Sequence, residues 1–138
     1  MASITLKGRE IPLIYTVYEM KAAQEEICPL AELPYRIMGQ DRDDPKDMSR
    51  FGGVEHIDTI TKMIRIMGNG GLEEAGEAPD LTDKWVMRSL RPTQMTEVIN
   101  ACIMALNEGM ASEIKEERKE GPIDVTLENM NKKKEKDS

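Results

Sequence analysis

Apolar and polar positions alternate with a period of two at the start of this chain and recur with a helical period through most of the rest. Ile4, Leu6, Ile11 and Leu13 fall on one side of two short runs that read as a β-hairpin over residues 3–15. With Gly8-Arg9 as a two-residue turn led by glycine, Lys7 faces Glu10, Leu6 faces Ile11 and Ile4 faces Leu13. Pro12 has no N–H to give a ladder, which puts its strand at an edge or ends it early. A hairpin alone is marginal in water, so its apolar face must lie on helices.

The first helix is announced by Thr16-Val17-Tyr18-Glu19, the form of a capping box, with Tyr15 and Met20 placed as a hydrophobic staple. Met20, Ala23, Ile27 and Leu30 share one side of it. Pro29 is expected to bend or end the helix and Pro34 to mark the exit. Gln40–Asp47 is charged and contains a proline, so it reads as an exposed loop. Helical spacing resumes near Val54, where Ile57, Ile60, Ile64 and Met67 form a stripe widened by Met63. Gly68-Asn69-Gly70-Gly71 is expected to end this helix, with Leu72–Ala75 able to add one turn. Asp80 or Thr82 then caps a short helix carrying Leu81, Trp85, Val86 and Met87 up to Leu90.

The longest signal follows. Pro92 suits a first helical position and Gly109 a C-terminal cap, and between them Met95, Val98, Ile99, Cys102, Ile103 and Leu106 make a continuous apolar stripe. This segment is expected to be the central helix. Beyond it the pattern fades: residues 113–138 hold eight acids and seven bases, anchored only by Ile114, Ile123, Val125, Leu127 and Met130. The pattern thus predicts a mostly α (α+β) fold, an N-terminal β-hairpin packed on a small bundle of about four helices. Residues 1–112 form the single domain, and residues 113–138 a charged, disordered tail.

Composition narrows the function more by exclusion than by signal. The 138 residues carry a formal charge of -7, and the one lysine-rich run lies at the far end. No basic face is available for nucleic acid, and no apolar run is long enough to cross a membrane, so a cytoplasmic protein with neither partner is expected. Cys28 and Cys102 are far apart within apolar patterns, which favours buried free thiols over a disulfide. His56, the single histidine, has no second histidine or cysteine at ligand spacing and reads as a helix-entry or solvated side chain. The Gly68–Gly71 run lacks the Gly-Lys-Ser/Thr ending of a phosphate loop, and Ser49, Ser89 and Ser112 have no histidine at a recognisable motif. Glu73, Glu74 and Glu77 read as a solvated acidic turn rather than a metal site. Neither an enzyme nor a cofactor is expected. The eleven methionines favour core filling, residue by residue, yet methionine also suits surfaces that accept varied partners. Met63, Met67, Trp85, Met87, Met104 and Met110 are the partner-binding candidates.

Several stretches together resemble the tail assembly chaperones of long-tailed phages and prophages. They are Ile4-Thr5-Leu6-Lys7-Gly8-Arg9-Glu10-Ile11-Pro12-Leu13, the helix start Tyr18-Glu19-Met20-Lys21, and Ile64-Arg65-Ile66-Met67-Gly68-Asn69-Gly70-Gly71-Leu72-Glu73-Glu74-Ala75-Gly76. A fourth is Leu90-Arg91-Pro92-Thr93-Gln94-Met95, leading to Ala105-Leu106-Asn107-Glu108-Gly109-Met110. The resemblance implies a small, mostly helical, acidic protein that binds the tape measure protein, keeps it soluble and helps recruit tail tube subunits. It implies a place in the host cytoplasm and absence from the finished virion. It also implies a longer frameshifted fusion in many systems; the Lys132-Lys133-Lys134 run is compatible with an A-rich slippery codon stretch, though lysine runs have many ordinary explanations. The alternatives are a virion structural or adaptor protein, such as a head–tail completion factor, and a small regulatory domain.

Overall fold

The computed structural model describes the backbone of residues 1–120 and the side chains of residues 1–111. Two strands, β1 (Ser3–Leu6) and β2 (Arg9–Pro12), are followed by five helices: α1 (Val17–Glu26), α2 (Leu33–Met38), α3 (Val54–Glu74), α4 (Asp83–Ser89) and α5 (Met95–Glu120). A 3-10 turn at Leu30–Glu32 leads into α2, and another at Pro92–Gln94 leads into α5. This is the expected hairpin on a helical body. Of the tail expected over residues 113–138, the backbone of residues 113–120 continues α5, and residues 121–138 lie outside the described residues.

The hairpin turn sits one residue earlier than expected. Lys7 and Gly8 both take positive φ, 51° and 76°, the signature of a type I′ turn whose twist matches the strands it joins. Ile4 therefore pairs with Ile11 and Leu6 with Arg9. Moving the turn by one shifts the register by two, so the side-chain parity survives. Ile4, Leu6, Ile11 and Leu13 still share one face, all buried.

The core is not built on α5 alone: α3 supplies a second buried stripe to it. Helix α3 packs against α1, α2, α4 and β2 and buries Ile60, Met63, Ile64, Met67 and Leu72 completely. Nor does it end at the glycine run. Gly68, Gly70 and Gly71 are interior helical residues, because their neighbours leave no room for a side chain. A Cβ at Gly68 would lie 2.7 Å from Leu81 Cδ1 and 2.9 Å from Ile11 Cγ2. At Gly70 it would meet the carboxylate of Glu19, and at Gly71 the backbone of Pro12, 2.5 Å from its carbonyl carbon. Across the same surface the Ile14 N–H donates to the Met67 carbonyl at 3.3 Å. Close approach, not termination, explains these glycines, and packing against them offsets their poor helix propensity.

Short-range signals set the remaining elements. The Glu19 carboxylate, buried, reaches back to the Thr16 N–H at 2.7 Å, completing the capping box of α1. Pro34 begins a fifth helix rather than marking an exit, since proline fits the first turn, and Gly39 closes that helix at φ 74°. Thr82 caps α4, its Oγ1 accepting from the Trp85 N–H at 3.1 Å. Before it, the Asn69 side chain takes both backbone groups of Leu81, accepting at 2.9 Å and donating at 3.2 Å. Arg65 of α3 bridges its neighbours, pairing with Glu26 of α1 and with Asp83 of α4 at 2.5 Å. In α5 the expected stripe is buried at Val98, Ile99, Cys102 and Leu106, joined by Ala105, while Glu108 accepts from the Ala2 N–H at 2.9 Å. The helix runs through Gly109, which the expected C-cap did not allow. An interior glycine costs only about 1 kcal/mol, and the residues after it are mostly strong helix formers.

Candidate functional site

The candidate partner residues separate by the face they occupy. Met63 and Met67 are fully buried on α3 and fill the core, so neither is available to a partner. Trp85 is half-buried against the core on α4. Met87, one position past the buried Val86 and so turned about 100° from it, is 45% exposed. Met104 is 50% exposed on α5, and Met110 is 58% exposed. Ile57, expected in the α3 stripe, is not fully covered either, at 38%.

A denser group of exposed apolar side chains was not anticipated. Met48, Phe51, Val54 and Ile57 fall within ten residues, and Val54 is 80% exposed. The first two lie on the segment that joins α2 to α3, and the second two open α3. Val54 and Ile57, three apart on one helix, are surface neighbours. A sequence signal existed in the methionine and phenylalanine set into a charged, polar loop.

That loop is built to hold one shape. Its backbone turns close by hydrogen bonds from Asp44 N–H to Asp41 O at 3.2 Å, Asp47 N–H to Asp44 O at 2.8 Å, and Phe51 N–H to Met48 O at 3.1 Å. Asp47 Oδ1 accepts from the Ser49 N–H at 2.9 Å, and this bond holds the Asp47 carboxyl below its ordinary range. His56 then pins the end of the loop. It is buried rather than solvated: Gly52 N–H donates to Nδ1 at 2.8 Å, and Nε2 bonds the Ile37 carbonyl, also at 2.8 Å. Since Nδ1 accepts, the proton must sit on Nε2, which donates to a carbonyl near the C-terminus of α2. One imidazole thus ties the end of α2 to the start of α3. Phe51 lies against it, ring centroids 4.9 Å apart, and a Cβ at Gly39 would come within 2.9 Å of His56 Cε1.

The charge around this group is acidic. Glu55 pairs with Arg36 at 3.5 Å and Arg50 at 3.8 Å, and Arg42 with Glu32 at 4.0 Å. Within residues 41–58, Asp41, Asp43, Asp44, Asp47 and Asp58 make no ion pair among the described residues, and of the three bases there only Lys46 makes none. The arrangement can offer an apolar contact inside a negative rim.

No protein-family model, curated protein or solved structure matches the chain. Chemistry elsewhere must be read from its own side chains. Ser89 Oγ donates to the Trp85 carbonyl at 2.6 Å, a local helical contact. Cys28 and Cys102 are both buried free thiols; burial raises each, Cys102 to about 12, far from a reactive thiolate. Glu73, Glu74 and Glu77 are exposed, and among the described residues no group of three or more His, Cys, Asp or Glu side chains is arranged to hold a metal ion. No helix among those residues is long and apolar enough to cross a membrane.

Proposed function

We propose that this protein is a tail assembly chaperone of the long-tailed phage type, binding the tape measure protein without catalytic turnover. It keeps that long helical protein soluble in the host cytoplasm, helps recruit tail tube subunits around it, and is left out of the finished virion. The family resemblance quoted above suggests the role. The observation that carries it is the combination of exposed apolar side chains, Met48, Phe51, Val54, Ile57, Met87 and Met104, with an overall charge of -7. Unassembled helical proteins expose apolar stripes that drive aggregation, and flexible methionines can fit such stripes without a fixed partner shape. The acidic charge keeps the complex dispersed and attracts basic segments.

Co-expression with the neighbouring tape measure gene tests the proposal. The large protein is expected to stay soluble and to co-purify only when this chain is present. Equal solubility without it, or many copies of this chain in purified tails, would replace the chaperone reading with a structural or adaptor part of the virion.

A further inference from the structure

We infer that the loop between α2 and α3, together with the first turns of α3, is a docking platform for an amphipathic helix whose apolar stripe is flanked by lysine or arginine. The inference rests on the reading above only in taking the partner to be helical; the surface and its charge preference come from the fold. A segment that merely joined two helices could be polar throughout. This one carries Met48 and Phe51 outward, at 43% and 42% exposure, on a backbone fixed by its own turns and by both ring nitrogens of a buried histidine. Holding exposed apolar groups on a rigid frame lowers the ordering cost of binding. Val54 and Ile57, three apart in the first turns of α3, add two more exposed apolar side chains on neighbouring helical positions.

The rim decides the partner's charge. Residues 41–58 hold six carboxylates, Asp41, Asp43, Asp44, Asp47, Glu55 and Asp58, against three bases, Arg42, Lys46 and Arg50, a net charge of -3. A helix bringing acidic flanks would add like charge to this rim, whereas basic flanks meet opposite charge and gain both encounter rate and register.

The test uses the full chain and two labelled peptides with the same leucine stripe, one flanked by lysine and the other by glutamate, followed by fluorescence anisotropy. The lysine peptide is expected to bind, with added salt weakening it, and the glutamate peptide to bind at least about tenfold less tightly. Met48→Asp with Val54→Asp, both on exposed side chains, should weaken the lysine peptide by about tenfold or more, while Met87→Asp with Met104→Asp should not. Circular dichroism confirms that each variant is folded. Equal binding of the two peptides, or loss on the Met87 and Met104 pair alone, overturns the platform. The same variants in the co-expression assay keep the two proposals apart. If Met48→Asp with Val54→Asp still solubilises the tape measure protein fully, the platform is wrong and the chaperone reading stands. If the unaltered chain does not solubilise it, the chaperone reading fails whatever the peptides do.

Discussion

Replacing Gly71 by alanine sets local propensity against tertiary packing, and the two forecast opposite signs. Inside a helix, glycine to alanine should stabilise by about 1 kcal/mol. At this position the new methyl group would sit 2.5 Å from the Pro12 carbonyl carbon, with the carbonyl oxygen closer still. Those are backbone atoms of β2, so no side-chain rotation relieves the overlap. Either α3 or the strand must move, and Pro12 carries with it Ile11 and Leu13, both buried. Overpacking of this kind costs about 1–3 kcal/mol, and partial exposure of two buried side chains worth about 1.5–3 kcal/mol each adds to it. After the propensity gain, a net loss of about 2 kcal/mol is expected. That corresponds to a drop of about 8 °C in the thermal midpoint of a body this size. Urea unfolding followed by far-ultraviolet circular dichroism gives the free energy, and an unchanged slope would confirm that the native state has lost the energy. Gly70→Ala should cost less, because its new methyl meets a side chain, the Glu19 carboxylate. A Gly71→Ala protein as stable as the parent, or more so, would refute the close approach and with it the account of why α3 continues past Met67.

Three further outcomes follow from burial and charge. Leu106→Ala, in the buried stripe of α5, should cost about 2–5 kcal/mol in the same urea experiment. Burial works to raise the Asp83 carboxyl, but hydrogen bonding and charge from Arg65, helped by Lys62, more than offset it and hold the group below its ordinary value. The stabilisation is therefore complete above the unfolded value, near 3.8, and lost as pH falls through the lower folded one. Asp83→Asn should weaken the protein at neutral pH, with the difference from the parent shrinking in acid. Cys102, buried and pushed up to about 12, should resist a thiol-reactive dye in the native protein near pH 8 and react once urea unfolds it; rapid native labelling would mean that α5 opens readily.

What the sequence disclosed was mostly what neighbouring residues decide among themselves. Thr16 with Glu19, Thr82 ahead of Trp85, and the spacing of Val98, Ile99, Cys102 and Leu106 each act within a turn or two of helix, and each took the expected form. The hairpin kept its buried face although its turn moved, because side-chain parity is more robust than turn position. The misreadings share a different cause. Gly68–Gly71 has the local chemistry of a helix end, and only Pro12, Ile11, Glu19 and Leu81, brought from elsewhere, explain why the helix continues. Met63 and Met67 fall on the expected stripe of α3, which already marks them for burial, and composition alone offers them to a partner. Their places were set by how α1, α2, α4 and β2 surround α3. The candidate platform was legible in parts, as an exposed loop and a helix starting at Val54. Its rigidity was not, since it depends on a histidine bonding a carbonyl 19 residues earlier.

The hydrogen bond from Ala2 to Glu108 joins positions 106 residues apart and fixes a timetable for folding. A ribosome adding about 5–20 residues per second needs roughly 5–20 s to pass from one partner to the other. During that interval β1 and β2 can pair, but their apolar face waits for helices still being made. Contacts this distant in sequence also slow the final closure of the refolding chain, since loop entropy is lost before the contact forms. An early-made hairpin is thus a late-buried one. For seconds after each copy begins to emerge, Ile4, Leu6, Ile11 and Leu13 remain exposed to the apolar surface of any neighbouring nascent chain.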